Sequence, residues 1–148
     1  MVNYQRLNNN MKKVVFIDHG NMLRSPIAKA LYNQLIKDGS VAVSYGTDVV
    51  GQKHQGLKLD SFPELNTEIN EVKKYGLDIS GEYCEQLKED YLVDADQIIL
   101  MLEKEFIPVW LRKYKYEYWE IPNPEIHTNA IINNIIKIIK GKVLKLII

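Results

Sequence analysis

The chain has 148 residues, 46% hydrophobic and 26% charged, enough to bury one core and too few to promise two. Lys plus Arg and Asp plus Glu both number 19, so a formal charge of zero gives no ground for general binding to nucleic acid or a membrane surface. The single cysteine, Cys84, excludes an intramolecular disulfide and a Cys-rich zinc site, and it suits a reducing, cytoplasmic setting.

The opening "MVNYQRLNNN" is polar and lacks the apolar centre of a secretory signal. Residues 1–11 are therefore expected to be a flexible N-terminal extension and residues 12–148 the folded domain. Residues 12–17 form a short β-rich run, and residues 25–37 have helical spacing through Ile27, Ala28, Leu31, Leu35 and Ile36, stopped by Asp38-Gly39. Residues 41–45 predict a second strand, followed by the polar, glycine-rich loop "GTDVVGQKHQG". Residues 64–75 predict a helix that ends at Gly76, the left-handed cap position.

Further along, residues 85–91 predict a short helix, "ADQIILML" a buried strand, "EKEFIPVWLRKY" a helix disturbed by Pro108, and "YEYWEI" a fourth strand. "YKYEYW" mixes bases with aromatics in a way that could stack on nucleic acid, but its alternation at period two fits an ordinary half-buried strand better. The tail "AIINNIIKIIKGKVLKLII" carries Ile at helical spacing, and Asn and Lys interrupt it too often for a membrane-spanning helix. A terminal helix packed on the core is expected, with an interfacial membrane helix as the alternative. Strands alternating with helices predict a parallel sheet covered on both faces.

The stretch "VVFIDHGNMLRSPIAKAL" has the outline of a phosphate cradle. After a buried strand, Gly20 and Asn21 stand where a tight loop needs positive φ, and Ser25-Pro26 opens a helix with proline in its first turn. Inward amides and a helix N-terminus favour an oxyanion, for which Arg24 would supply a two-pronged clamp. A plain strand-to-helix turn with an exposed arginine would read the same way from spacing alone.

The segment "HGNMLRSPIAKAL" resembles the signature of the low-molecular-weight protein tyrosine phosphatases, a family that includes the thioredoxin-linked arsenate reductases. The likeness continues through "SYGT", Val50-Gly51, "EVKKYGLDIS", "EQLKEDYLVDADQIILM" and the "NP" of "IPNPEI". It implies an α/β three-layer sandwich with a four-stranded parallel sheet of order 2-1-3-4, helices on both faces and a phosphate-binding loop after the first strand. That loop would comprise His19, Gly20, Asn21, Met22, Leu23, Arg24 and Ser25.

The departures from the family pattern fall on the chemistry. The family's nucleophilic cysteine falls on Asp18, its second loop cysteine on Leu23, and its general-acid aspartate on Asn123. Aromatic residues that wall a phosphotyrosine pocket are replaced by Val49 and Val50 in one loop and by Glu125 and Ile126 in another. The family's thiolate attacks phosphorus while a carboxylic acid protonates the leaving alcohol. Asn123 cannot donate that proton, and Asp18 is a weaker nucleophile than a thiolate.

Asp18 is expected to fill part of the cradle itself, with a pKa depressed by the loop amides, Ser25 and Arg24. His19 reads as a rim residue, Cys84 as a half-buried small side chain, and His54 and His127 as solvated loop residues without metal-ligand spacing. With one cysteine, a relay for arsenate reduction has no partners. No cofactor is expected.

Three readings follow. One is a catalytically impaired family member that binds phosphate or a phosphorylated ligand. The second is a slow phosphomonoesterase working through Asp18 or direct water attack. The third is an interaction module with a vestigial loop.

Overall fold

The computed structural model describes residues 11–148; the expected extension at 1–11 lies, apart from Met11, outside the described residues. Four parallel strands, β1 (Lys13–Asp18), β2 (Val41–Gly46), β3 (Gln97–Leu100) and β4 (Glu117–Tyr118), form one sheet in the order β2-β1-β3-β4. The helices are α1 (Arg24–Leu35), α2 (Asn66–Lys73) and α3 (Asn129–Ile147). This is the α/β sheet order that the resemblance implied.

β1 is central and buried on both sides, which explains why its sequence reads as continuously apolar rather than alternating. Val14 and Phe16 face a cluster that includes Ile27 and Leu31 of α1, Ile69 and Val72 of α2, and Ile135 and Ile139 of α3. Val15 and Ile17 face the opposite cluster, closed by Leu87, Leu92, Ile107 and Leu111. All three α-helices thus cover one face. The other is covered by short 3₁₀ turns at Glu89–Leu92 and Val109–Lys113, with Leu87 and Ile107 from the chain leading into each.

Two expected helices accordingly shrink. The segment "EKEFIPVWLRKY" becomes 3₁₀ turns at Lys104–Phe106 and Val109–Lys113, because Pro108 has no amide to donate and holds Ile107 extended (φ −71°, ψ 118°). The helix expected at 85–91 forms only as the turn Glu89–Leu92. The helix expected from Glu64 is entered through a 3₁₀ turn, Pro63–Leu65, and its exit at Gly76 has the anticipated positive φ of 78°. The fourth strand pairs only at Glu117 and Tyr118.

α3 is a core helix. Thr128 caps it by accepting a hydrogen bond from the Ile131 amide, and Ile132, Ile135, Ile136, Ile139 and Val143 form its buried stripe. Two of its lysines lie over aromatic rings, Lys140 over Tyr75 and Lys142 over Trp119. Among the described residues no helix is long and apolar enough to cross a membrane.

Candidate functional site: a buried carboxylate in the strand-to-helix loop

In a parallel sheet, the ends of the strands nearest the helix N-termini gather the polar loops. Here β1 ends at Asp18, opposite Gly46 of β2, and the chain turns through residues 19–23 into α1. Asn21 adopts φ 56° and holds the turn open. Its Nδ2 donates to Ser25 Oγ (2.9 Å) and Ser44 Oγ (3.1 Å), while its Oδ1 accepts from the Glu85 amide (2.9 Å). One buried side chain therefore ties the loop to α1, β2 and the segment before β3.

Gly20, expected to share the left-handed conformation, does not; a Cβ there would stand 3.2 Å from Gln52 Oε1. The stricter glycine is Gly46, where a Cβ would lie 2.8 Å from the Asn21 amide nitrogen and 2.8 Å from the His19 carbonyl. The "SYGT" motif is thus a close approach of two backbones.

Two of the loop's amides, those of Asn21 and Ser25, meet on one group, the carboxylate of Asp18. Its Oδ1 accepts from the Asn21 amide (2.6 Å) and its Oδ2 from the Ser25 amide (2.9 Å). The second bond caps α1: Leu23, the residue at the cap position, offers no side-chain bond, and Asp18 satisfies one of the first-turn amides from outside the helix.

The expectation of a depressed pKa for Asp18 is corrected. Burial raises it above the ordinary 3.8, and the Arg24 charge and the hydrogen bonds from Ser25 and Asn21 only partly offset that. At 2% exposure, desolvation of the carboxylate outweighs its donors.

Arg24 is buried, but it does not clamp the focus of the loop. Its Nη1 donates to the Met101 carbonyl (2.8 Å) and its Nη2 to Glu103 Oε1 (3.3 Å), joining the start of α1 to the chain that leaves β3. Nor is Arg24 simply the partner of Asp18. Burial pushes the Glu103 pKa up, but its own backbone amide, Arg24 and the Asn123 side chain together outweigh this and leave it below the usual range. Asn123 is thereby brought to the same place as Arg24. The two line a cavity of about 470 Å³ with Glu103, Tyr118 and Glu120.

The His19 ring is half-buried, stacked on Phe106 with ring centroids 4.5 Å apart and Nε2 3.7 Å from Asp48 Oδ2. Leu23 is buried and Met22 packs against the same core, so their side chains serve the fold. Val49 is buried and Val50 and Ile126 are exposed; the aromatic rings beside the loop are Phe106, stacked on His19, and Tyr118, in the cavity wall with Arg24.

Cys84 is fully rather than half buried, and burial, with the Asp18 charge, pushes its thiol up to about 11. It remains a thiol and supplies no substitute nucleophile. The other histidines are not simply solvated: His54 packs edge-on to Phe62 and keeps Nδ1 buried without a partner among the described residues, and His127 pairs with Glu68.

Glu103, Phe106 and Gln86 were not singled out from the sequence. Gln86 accepts from the Val49 and Val50 amides (2.7 and 2.9 Å) and donates to the Thr47 carbonyl (2.8 Å), fixing the neighbouring turn. The available signal for Glu103 was an acid immediately after the buried run that ends β3, beside the loop strand.

Two outcomes follow. Asn21→Ala should destabilise the fold by on the order of 3 kcal/mol in urea unfolding, and Asn21→Gly by about 1 kcal/mol less, since glycine removes the strain but not the lost bonds. Because folding raises the pKa of Asp18, its stabilising contribution is complete below 3.8 and is lost as pH rises through the folded value. The stability of the wild type relative to Asp18→Asn should therefore fall over that window and then level; a difference that grows with pH would show the donors outweighing burial.

A family model for "Low molecular weight phosphotyrosine protein phosphatase" matches residues 13–147. Among solved structures, Wzb of Vibrio vulnificus in complex with benzylphosphonate is 20% identical with a TM-score of 0.76, covering 93% of this chain and 97% of that one. An arsenate reductase in its phosphate-binding state is 21% identical with a TM-score of 0.72, over 93% and 97% of the two chains. The tyrosine phosphatase Wzb of Escherichia coli K30 in complex with sulphate is 19% identical with a TM-score of 0.70, over 92% and 96%. No curated protein sequence matches. At these identities the structural likeness speaks for the fold, while the family match spans nearly all of the sequence: the chain belongs to the low molecular weight phosphotyrosine protein phosphatase family.

Proposed function

We propose that the protein is a catalytically impaired member of this family whose loop holds an internal carboxylate where its relatives would hold an oxyanion. Phosphate, or the phosphoryl group of a small molecule or protein, binds this loop in competition with Asp18. The observation that carries the reading is the double acceptance by Asp18 of the Asn21 and Ser25 amides. An entering dianion meets a carboxylate already on those donors, and the two repel in a poorly hydrated site. Neutralising Asp18 removes the repulsion, so binding strengthens as pH falls through its raised pKa.

The chemistry is blunted at both ends. Asp18 is engaged as an acceptor, and Asn123, beside Glu103, has no proton to give a leaving alcohol. Loss of general-acid help alone costs about 10²- to 10⁴-fold with a poor leaving group. A lone thiol and a balanced charge support this reading for a cytoplasmic protein whose ligand is a phosphoryl group and not nucleic acid or a membrane.

The interaction-module reading draws on one observation of its own. Arg24 is held by Met101 and Glu103, so its retention has a structural reason that needs no ligand.

Hydrolysis of p-nitrophenyl phosphate, followed beside Asp18→Cys and Asp18→Cys/Asn123→Asp, tests the first reading. The wild type should stay at background and the double variant should turn over; wild-type turnover abolished by Asp18→Asn would instead make Asp18 a working nucleophile. Sulfate, whose charge is constant across the useful range, serves for calorimetry. Asp18→Ala should bind it at least about tenfold more tightly than the wild type at neutral pH, in line with removal of a nearby like charge. Absence of heat in both proteins would leave the interaction module as the function.

A further inference from the structure

Glu68 on α2 is fully buried, yet it meets no cation from its own helix. Its Oε2 lies 2.8 Å from Nδ1 of His127, and its Oε1 has no partner among the described residues. The His127 ring is fixed at its other end as well, with Nε2 3.2 Å from the Pro124 carbonyl. Both ring nitrogens therefore face oxygen acceptors. Only the doubly protonated ring can donate to both; a neutral imidazole has one N–H and must turn a lone pair toward the carboxylate or the carbonyl.

The surrounding charges make this contact the main compensation for Glu68. From α2, Glu71 is also buried but is already paired with Lys74. α3, which follows His127 in the chain, has no acid in its first turn, and its first lysine, Lys137, stands two turns further on. Glu125 belongs to the same loop as His127 and is exposed. A buried carboxylate that loses its single cationic partner is left strongly disfavoured, so removal of the ring proton acts on the packing of the whole segment.

That segment is residues 122–127, which carries Asn123 to the cavity shared with Arg24 and Glu103. We propose that Glu68 and His127 form a proton-operated latch: the imidazolium ties the loop to α2, and loss of its proton frees the Pro124 end and lets Asn123 leave Glu103. The device acts on the wall of the oxyanion site and is independent of what that site binds.

Nuclear magnetic resonance of the full chain, without added oxyanion, tests it. The His127 ring signals and the backbone amides of Asn123, Glu125 and Ile126 are followed from about pH 5 to 9, the span over which histidines exchange their proton. The loop amides should shift with the same midpoint as the ring. In Glu68→Gln, which removes the carboxylate that the ring grips, the loop's response should shrink, and in His127→Gln, which spares the buried helix residue, the response in this range should vanish. Loop amides indifferent to the ring's titration, or a response that persists in His127→Gln, would overturn the latch.

Discussion

A carboxylate at the end of the central strand organises the region that the rest of the fold is built to present. A strand-to-helix loop with converging amides leaves unpaired donors that something must satisfy. Asp18 does so from within the chain, accepting from Asn21 and Ser25, and the second bond also caps α1. The conformation of the loop therefore requires no external anion.

The same internal satisfaction extends to the guanidinium beside it. In taking the Met101 carbonyl and Glu103, Arg24 ties α1 to β3 across the mouth of the site, and Glu103 in turn reaches Asn123. The polar contacts run from a buried inner part, Asp18, Asn21, Arg24 and Ser25, where a missing partner would be costly, out to a partly exposed Glu103 and an exposed Asn123. The donors of the loop and the guanidinium are matched by acceptors of the chain itself, and matching differs physically from loss: these donors remain in position and are occupied.

What was legible in the sequence was local. The opening strand, the turn around Asn21 and the helix after Ser25-Pro26 follow from residue types within a few positions of one another, and the Ile stripe of α3 follows from its period. Contacts across about 80 positions, such as Arg24 with Glu103 and His19 with Phe106, leave no periodic trace. The direction of the Asp18 shift escaped for a related reason. Donors can be counted from a motif, but the depth at which the motif is buried is set by the packing of the entire domain. Helices on the second face were overdrawn because apolar spacing around Pro108 suits a 3₁₀ turn as well as an α-helix.

Sealing Cys84 away with an undissociated sulfhydryl has a chemical consequence for the protein's life in a cell. Peroxides and electrophiles consume thiolates at accessible positions, and oxidation to sulfenic acid silences enzymes whose activity depends on such a group. The Cys84 thiol, at zero exposure, offers those reagents nothing to attack, so the oxidisable sulfur that remains at the loop is the partly buried thioether of Met22. Oxidation there would trade an apolar contact with the core for a polar sulfoxide, a change of packing that a reductase can reverse, instead of the loss of a reacting group.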